Sequence, residues 1–80
     1  MTVQIQCFGI ARDICGGDFI DATLEDGSRV MDLQNYLRET YPELAELRHF
    51  FIARNQVYAA LEELILVDDE LVIIPPVSGG

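Results

Sequence analysis

The last six residues, Pro75-Pro76-Val77-Ser78-Gly79-Gly80, hold the chemistry most legible in this chain. Gly79 and Gly80 lack Cβ atoms, so they can enter a channel too narrow for any other residue. They leave the carboxylate of Gly80 as the reactive handle. That carboxylate is inert at neutral pH, but joining it to AMP gives a mixed anhydride open to attack by sulfide or a thiolate. A tail of this kind suits a carrier whose terminus visits the active sites of other proteins. Pro75 and Pro76 hold the root of the tail extended and donate no ladder hydrogen bonds.

Other chemistries fit the composition poorly. Two cysteines, Cys7 and Cys15, and the lone His49 fall short of a structural zinc site. An iron–sulfur centre of the ferredoxin kind needs four thiolates. Cys7 lies on the inward phase of an alternating segment and reads as a core thiol, whereas Cys15, before Gly16-Gly17, reads as a loop residue open to solvent. The net charge of −9 argues against nucleic acid, which is gripped by clustered cations. The five cations are all arginine (Arg12, Arg29, Arg38, Arg48 and Arg54), and they are scattered. An acidic body fits a partner with a basic docking surface and equally fits charge kept for solubility. No apolar stretch reaches membrane-spanning length and no leader pattern opens the chain, so a soluble, cytoplasmic protein is expected.

Eighty residues, half of them hydrophobic, make one small domain. The expected division is a body over 1–76 and a flexible tail over 77–80. Thr2 to Phe8 alternates, with Val3, Ile5 and Cys7 on one face, as a half-buried strand does. Ile10 to Ile14 offers at most a short helical turn. Phe19 to Leu24 alternates again, and Glu25-Asp26-Gly27 makes a turn. Ser28 is the expected N-cap of the main helix, with Val30, Leu33, Leu37 and Tyr41 as its apolar stripe. Pro42 closes that helix and opens a short second one through Glu43 to Arg48. Phe50 to Ala53, Val57 to Ala59, Leu64 to Val67 and Leu71 to Ile74 read as strands, with Asn55-Gln56 as a tight turn.

This order predicts an α+β fold: a mixed sheet of about four to five strands, with one main helix packed on one face. Phe50–Ala53 and Leu71–Ile74 are apolar in both phases, so some apolar surface should lie on the uncovered face and mark a protein partner.

The chain resembles the small, sulfur-carrying subunits of molybdopterin synthase, a ubiquitin-like β-grasp family. The resemblance spans essentially the whole length. It is strongest at Asp69-Glu70-Leu71-Val72-Ile73-Ile74-Pro75-Pro76-Val77-Ser78-Gly79-Gly80, and again at Phe8-Gly9-Ile10-Ala11-Arg12-Asp13-Ile14-Cys15-Gly16. Cys15 and Asp68-Asp69 depart from the usual pattern, which leaves loop details open.

The resemblance implies that an ATP-dependent activating enzyme adenylates Gly80 and that the acyl-adenylate becomes a thiocarboxylate. The tail would then donate sulfur to cyclic pyranopterin monophosphate inside the large synthase subunit, in a heterotetramer of two small and two large chains. Pro75, Pro76, Val77, Ser78 and Gly79 would occupy the partner's channel, no cofactor or metal would be bound, and catalytic side chains would belong to the partner. A carrier for thiamine or transfer-RNA thiolation, or a ubiquitin-like modifier joined to lysines, would use the same terminus. An acyl carrier protein would need a helical bundle and an Asp-Ser-Leu site, which neither Ser28 nor Ser78 provides.

Overall fold

The computed structural model describes residues 1–47 and 49–76. The elements in chain order are β1 (Thr2–Cys7), α1 (Gly9–Cys15), β2 (Phe19–Thr23), α2 (Val30–Thr40), α3 (Pro42–Ala45), β3 (Phe51–Arg54), β4 (Val57–Tyr58) and β5 (Leu71–Ile74). The strands form one five-stranded sheet in the order β2-β1-β5-β3-β4. β1 and β5 run parallel, and every other neighbouring pair is antiparallel. This is the mixed sheet expected of a β-grasp domain. The continuously apolar last strand takes the central place, as such a sequence predicts.

Alternation decides the core. Val3, Ile5 and Cys7 of β1 point to the helix side and are fully buried, as are Leu71 and Ile73 of β5 and Ile52 of β3. Val30, Leu33 and Leu37 of α2 meet them with no exposed surface, and Leu44 of α3 closes the end. The start of α2 differs from expectation. Ser28 is not the cap: its hydroxyl donates to the Glu25 carbonyl at 2.7 Å, which closes the preceding turn. Arg29 is the capping residue, and its backbone N–H donates to the Asp32 carboxylate at 2.8 Å. An acid in the first turn also suits the helix dipole.

Two segments depart further. Residues 9–15 form a seven-residue helix rather than a single turn. Ala11, Ile14 and Cys15 share one face, and Gly16 ends the helix at φ 83°, where its N–H reaches the Arg12 carbonyl at 2.9 Å. Cys15 is therefore half-buried against the core rather than open in a loop. Leu64 to Val67 is not a strand. Only Leu64 bridges a partner, Arg29, and the Leu66 N–H is taken by the Asp69 carboxylate at 2.7 Å. A side-chain acceptor that close favours a turn over a ladder. Arg48, the expected end of the second short helix, lies outside the described residues. Asn55 and Gln56 make the tight turn between β3 and β4 with φ of 54° and 73°. Among the described residues no helix is long and apolar enough to cross a membrane.

Candidate functional site: an apolar sheet face at the root of the tail

Helices cover one side of the sheet; the strand register defines what the other side shows. Phe19 pairs with Gln6, Gln6 with Val72, Val72 with Ala53, and Ala53 with Tyr58, so these five residues cross all five strands in one row. The next row toward the end of β5 pairs Ile74 with Phe51. Phe19, Phe51 and Tyr58 are about half exposed, at 54%, 44% and 62%. The rings of Phe51 and Tyr58 stack at 5.5 Å and 6°, and His49 meets Phe51 edge-on at 5.1 Å. Stacked, pre-positioned aromatics lose little freedom on binding and are typical protein-contact anchors. Asp21 is the one carboxylate among the outward strand positions, in a chain with 14 acids.

The sequence expectation of an apolar face is thus met by Phe51, Val72 and Ile74. Phe50, the other aromatic of that run, is 2% exposed and belongs to the core beneath Arg38. Phe19 and Tyr58 are further members of this face, which the sequence alone does not place there. Their outward phase was legible, but only the register across β1 and β5 brings them into one surface.

Pro75 and Pro76 follow Ile74 directly and are half-buried. Cys7 pairs with Ile73, so the end of β1, with Phe8 51% exposed, stands beside the strand that leads to the tail. The expected tail residues Val77, Ser78, Gly79 and Gly80 lie outside the described residues.

The two thiols lie on the helix side of the sheet and are poorly suited to nucleophilic work. Burial pushes the Cys15 thiol up to about 12, with the neighbouring Cys7 adding to the shift. Burial likewise raises Cys7. Protonated thiols are weak nucleophiles. Arg12 is held by Asp18 at 2.6 Å on the surface. Asp69, whose affinity for protons is lowered, is engaged with Arg54 beyond the opposite end of β5. Among the described residues no group of three or more His, Cys, Asp or Glu is placed to hold a metal ion. What the arrangement can do is offer a broad apolar contact surface for a protein, with Pro75 and Pro76 at its margin.

A five-stranded mixed sheet in this order, with the last strand central and parallel to the first, defines a ubiquitin-like β-grasp protein. Within that class the chain belongs to the ThiS family, whose match covers residues 5–80. The molybdopterin synthase sulfur carrier subunit of Dictyostelium discoideum is 35% identical over 82 residues, covering 96% of this chain and 94% of that protein. The Arabidopsis thaliana protein of the same name is 30% identical over 81 residues, covering 100% and 84%. Among solved structures, the small archaeal modifier protein 1 of Methanosarcina acetivorans superposes with a TM-score of 0.79 at 26% identity, covering 99% and 96%.

Proposed function

We propose that this chain is the sulfur carrier of a molybdopterin synthase. Residues 1–76 form the docking body and 77–80 the tail that carries the sulfur. An activating enzyme joins the Gly80 carboxylate to the α-phosphorus of ATP, and pyrophosphate leaves. Sulfur delivered as a persulfide displaces AMP, and a thiol reduces the resulting acyl disulfide to the thiocarboxylate. The large subunit then draws the tail into its own site, where the sulfur attacks cyclic pyranopterin monophosphate. Two such rounds complete the dithiolene. Each transfer exchanges one sulfur for one oxygen, so Gly80 returns as a carboxylate, ready for reactivation.

The observation that carries this reading is the likeness, over nearly the whole chain, to relatives named sulfur carrier subunits. The apolar sheet face supports it, because that face borders the tail root and offers a surface for a large subunit. In this reading the small chain supplies docking and the reactive end group. Pro75 and Pro76 limit the freedom of the tail root before insertion and so reduce the entropy lost on threading.

A second reading, a modifier conjugated through Gly80 to lysines, is favoured by the likeness to the archaeal modifier protein. One experiment separates the two. The intact mass of the chain, purified after co-expression with its activating enzyme, should rise by the exchange of one oxygen for sulfur. Deleting Gly80 should abolish that rise and molybdopterin production with it. Covalent ladders on other proteins would favour the modifier, and normal molybdopterin synthesis by the deleted variant would overturn the carrier.

A further inference from the structure

A shallow groove runs between α1 and α3, away from the open sheet face, lined by Ile10, Asp13, Ile14, Glu43, Glu46 and Leu47. Its floor is aliphatic, with Ile10 48% exposed and Ile14 and Leu47 half-buried. Its rim is three carboxylates, and among the described residues the lining holds no cation. It starts at the first turn of α1, two residues after Phe8, where β1 ends beside Ile73 of the tail-bearing strand. A protein that takes the tail therefore reaches this groove at the same pole of the domain.

We propose that the groove is a second docking point for the large subunit, seating an apolar side chain flanked by lysine or arginine. This rests on the sulfur-carrier reading above. Charge complementarity selects the occupant: three acids around an aliphatic floor repel another acidic chain and attract a cationic segment. A second copy of this chain, at −9, is disfavoured on the same ground. The large subunit is also the partner that must hold a phosphate-bearing acceptor close to the tail's entry, which calls for lysine and arginine there. The two contacts have separate work. The charge-poor sheet face supplies buried area, and the acidic groove speeds encounter and fixes orientation.

The test measures binding kinetics of the full chain to the large subunit of its own synthase. The triple variant Asp13→Asn, Glu43→Gln, Glu46→Gln is compared with a control that removes equal charge outside the groove: Glu39→Gln, Glu62→Gln, Asp68→Asn. All six side chains are on exposed residues, so both variants should keep the native fold, checked by thermal melts. The groove variant should associate about tenfold more slowly than the control at low ionic strength. That gap should close at high salt. Ile10→Ala should speed dissociation several-fold and leave association unchanged. Identical kinetics for the two triple variants overturn the proposal. So does a defect confined to the activating enzyme, which would make that enzyme the occupant. Intact masses of the same samples separate the underlying reading. A wild-type chain that never gains sulfur removes the carrier function and the groove's role together, whereas a loaded chain with unaltered kinetics removes the groove alone.

Discussion

Asp69 should hold the segment between β4 and β5 in place, and replacing it with asparagine should reveal by how much. Its side chain is only 6% exposed. One carboxylate oxygen accepts from Arg54 Nε at 2.6 Å and from the Leu66 N–H at 2.7 Å, and the other accepts from Asn55 Nδ2 at 3.0 Å. Asn55 is itself fixed, because its Oδ1 accepts from the Glu70 N–H at 2.9 Å. An asparagine at 69 can keep its oxygen toward Arg54 and Leu66, but its NH2 then faces the NH2 of Asn55, donor against donor. Losing that hydrogen bond costs about 1 kcal/mol. Losing the charge opposite Arg54 adds up to about 1 kcal/mol, discounted because the guanidinium remains partly solvated. Asp69→Asn should therefore destabilise the domain by about 2 kcal/mol, or roughly 10 °C in Tm for a domain of this size.

The pH dependence of that loss has a definite sign. Burial alone would raise the Asp69 pKa, but the hydrogen bonds from Arg54, Leu66 and Asn55 outweigh it, so the folded value lies below the ordinary 3.8. A depressed carboxylate pKa stabilises the fold above the unfolded-state pKa, and that stability is lost as pH falls through the folded value. Urea unfolding of wild type and variant should thus differ by a constant amount from about pH 5 upward, with the gap closing below 3.8. A difference under about 0.5 kcal/mol at neutral pH, or one undiminished in strong acid, would refute the reasoning.

Three further outcomes follow from other parts of the fold. Leu37, with no exposed surface, anchors α2 to the sheet, and Leu37→Ala should cost about 3 kcal/mol by chemical denaturation; a loss below about 1 kcal/mol would mean the core collapses around the gap. Gln56 sits at φ 73°, a conformation that burdens a side chain, so Gln56→Gly should raise stability by about 0.5 kcal/mol, and a decrease would show that the turn is unstrained. With its thiol pushed from 9.0 to about 12, Cys15 should react with iodoacetamide at neutral pH at least a hundredfold more slowly in the native protein than in urea; comparable rates would contradict its burial.

How much of this was legible depended on whether the deciding contact was local. Leu71-Val72-Ile73-Ile74 before Pro75-Pro76 announced a central strand and its end, and the structure places it so. The stripe Val30, Leu33 and Leu37 gave α2, because a helix's own spacing reveals its buried face. Ser28 misled because capping type and turn type use the same hydroxyl, and here the Glu25 carbonyl lies within its reach. Leu64 to Val67 misled because its apolar character is strand-like, yet Asp69, three residues beyond Leu66, takes that amide. Helix α1 carried a readable signal in Ala11, Ile14 and Cys15 followed by Gly16, but its two glycine-bounded turns depend on packing against β1 and α3. The open face was only half legible, since Phe19 and Tyr58 join it through pairings between strands distant in sequence.

If the chain carries sulfur as proposed, the central place of β5 has a mechanical consequence. A tail drawn into a partner's pocket pulls on the strand from which it emerges. An edge strand loaded in that way is held on one side only and can peel residue by residue. β5 is held on both sides, parallel to β1 through Ile5–Leu71 to Cys7–Ile73 and antiparallel to β3 through Phe51–Ile74 to Arg54–Leu71. Its Leu71 and Ile73 are also locked beneath α2 in the core. Load applied at Pro75 is therefore shared by two ladders and by buried side chains. On the sulfur-carrier reading proposed above, threading and withdrawal of the segment beyond Pro76 would leave Ile74 paired with Phe51.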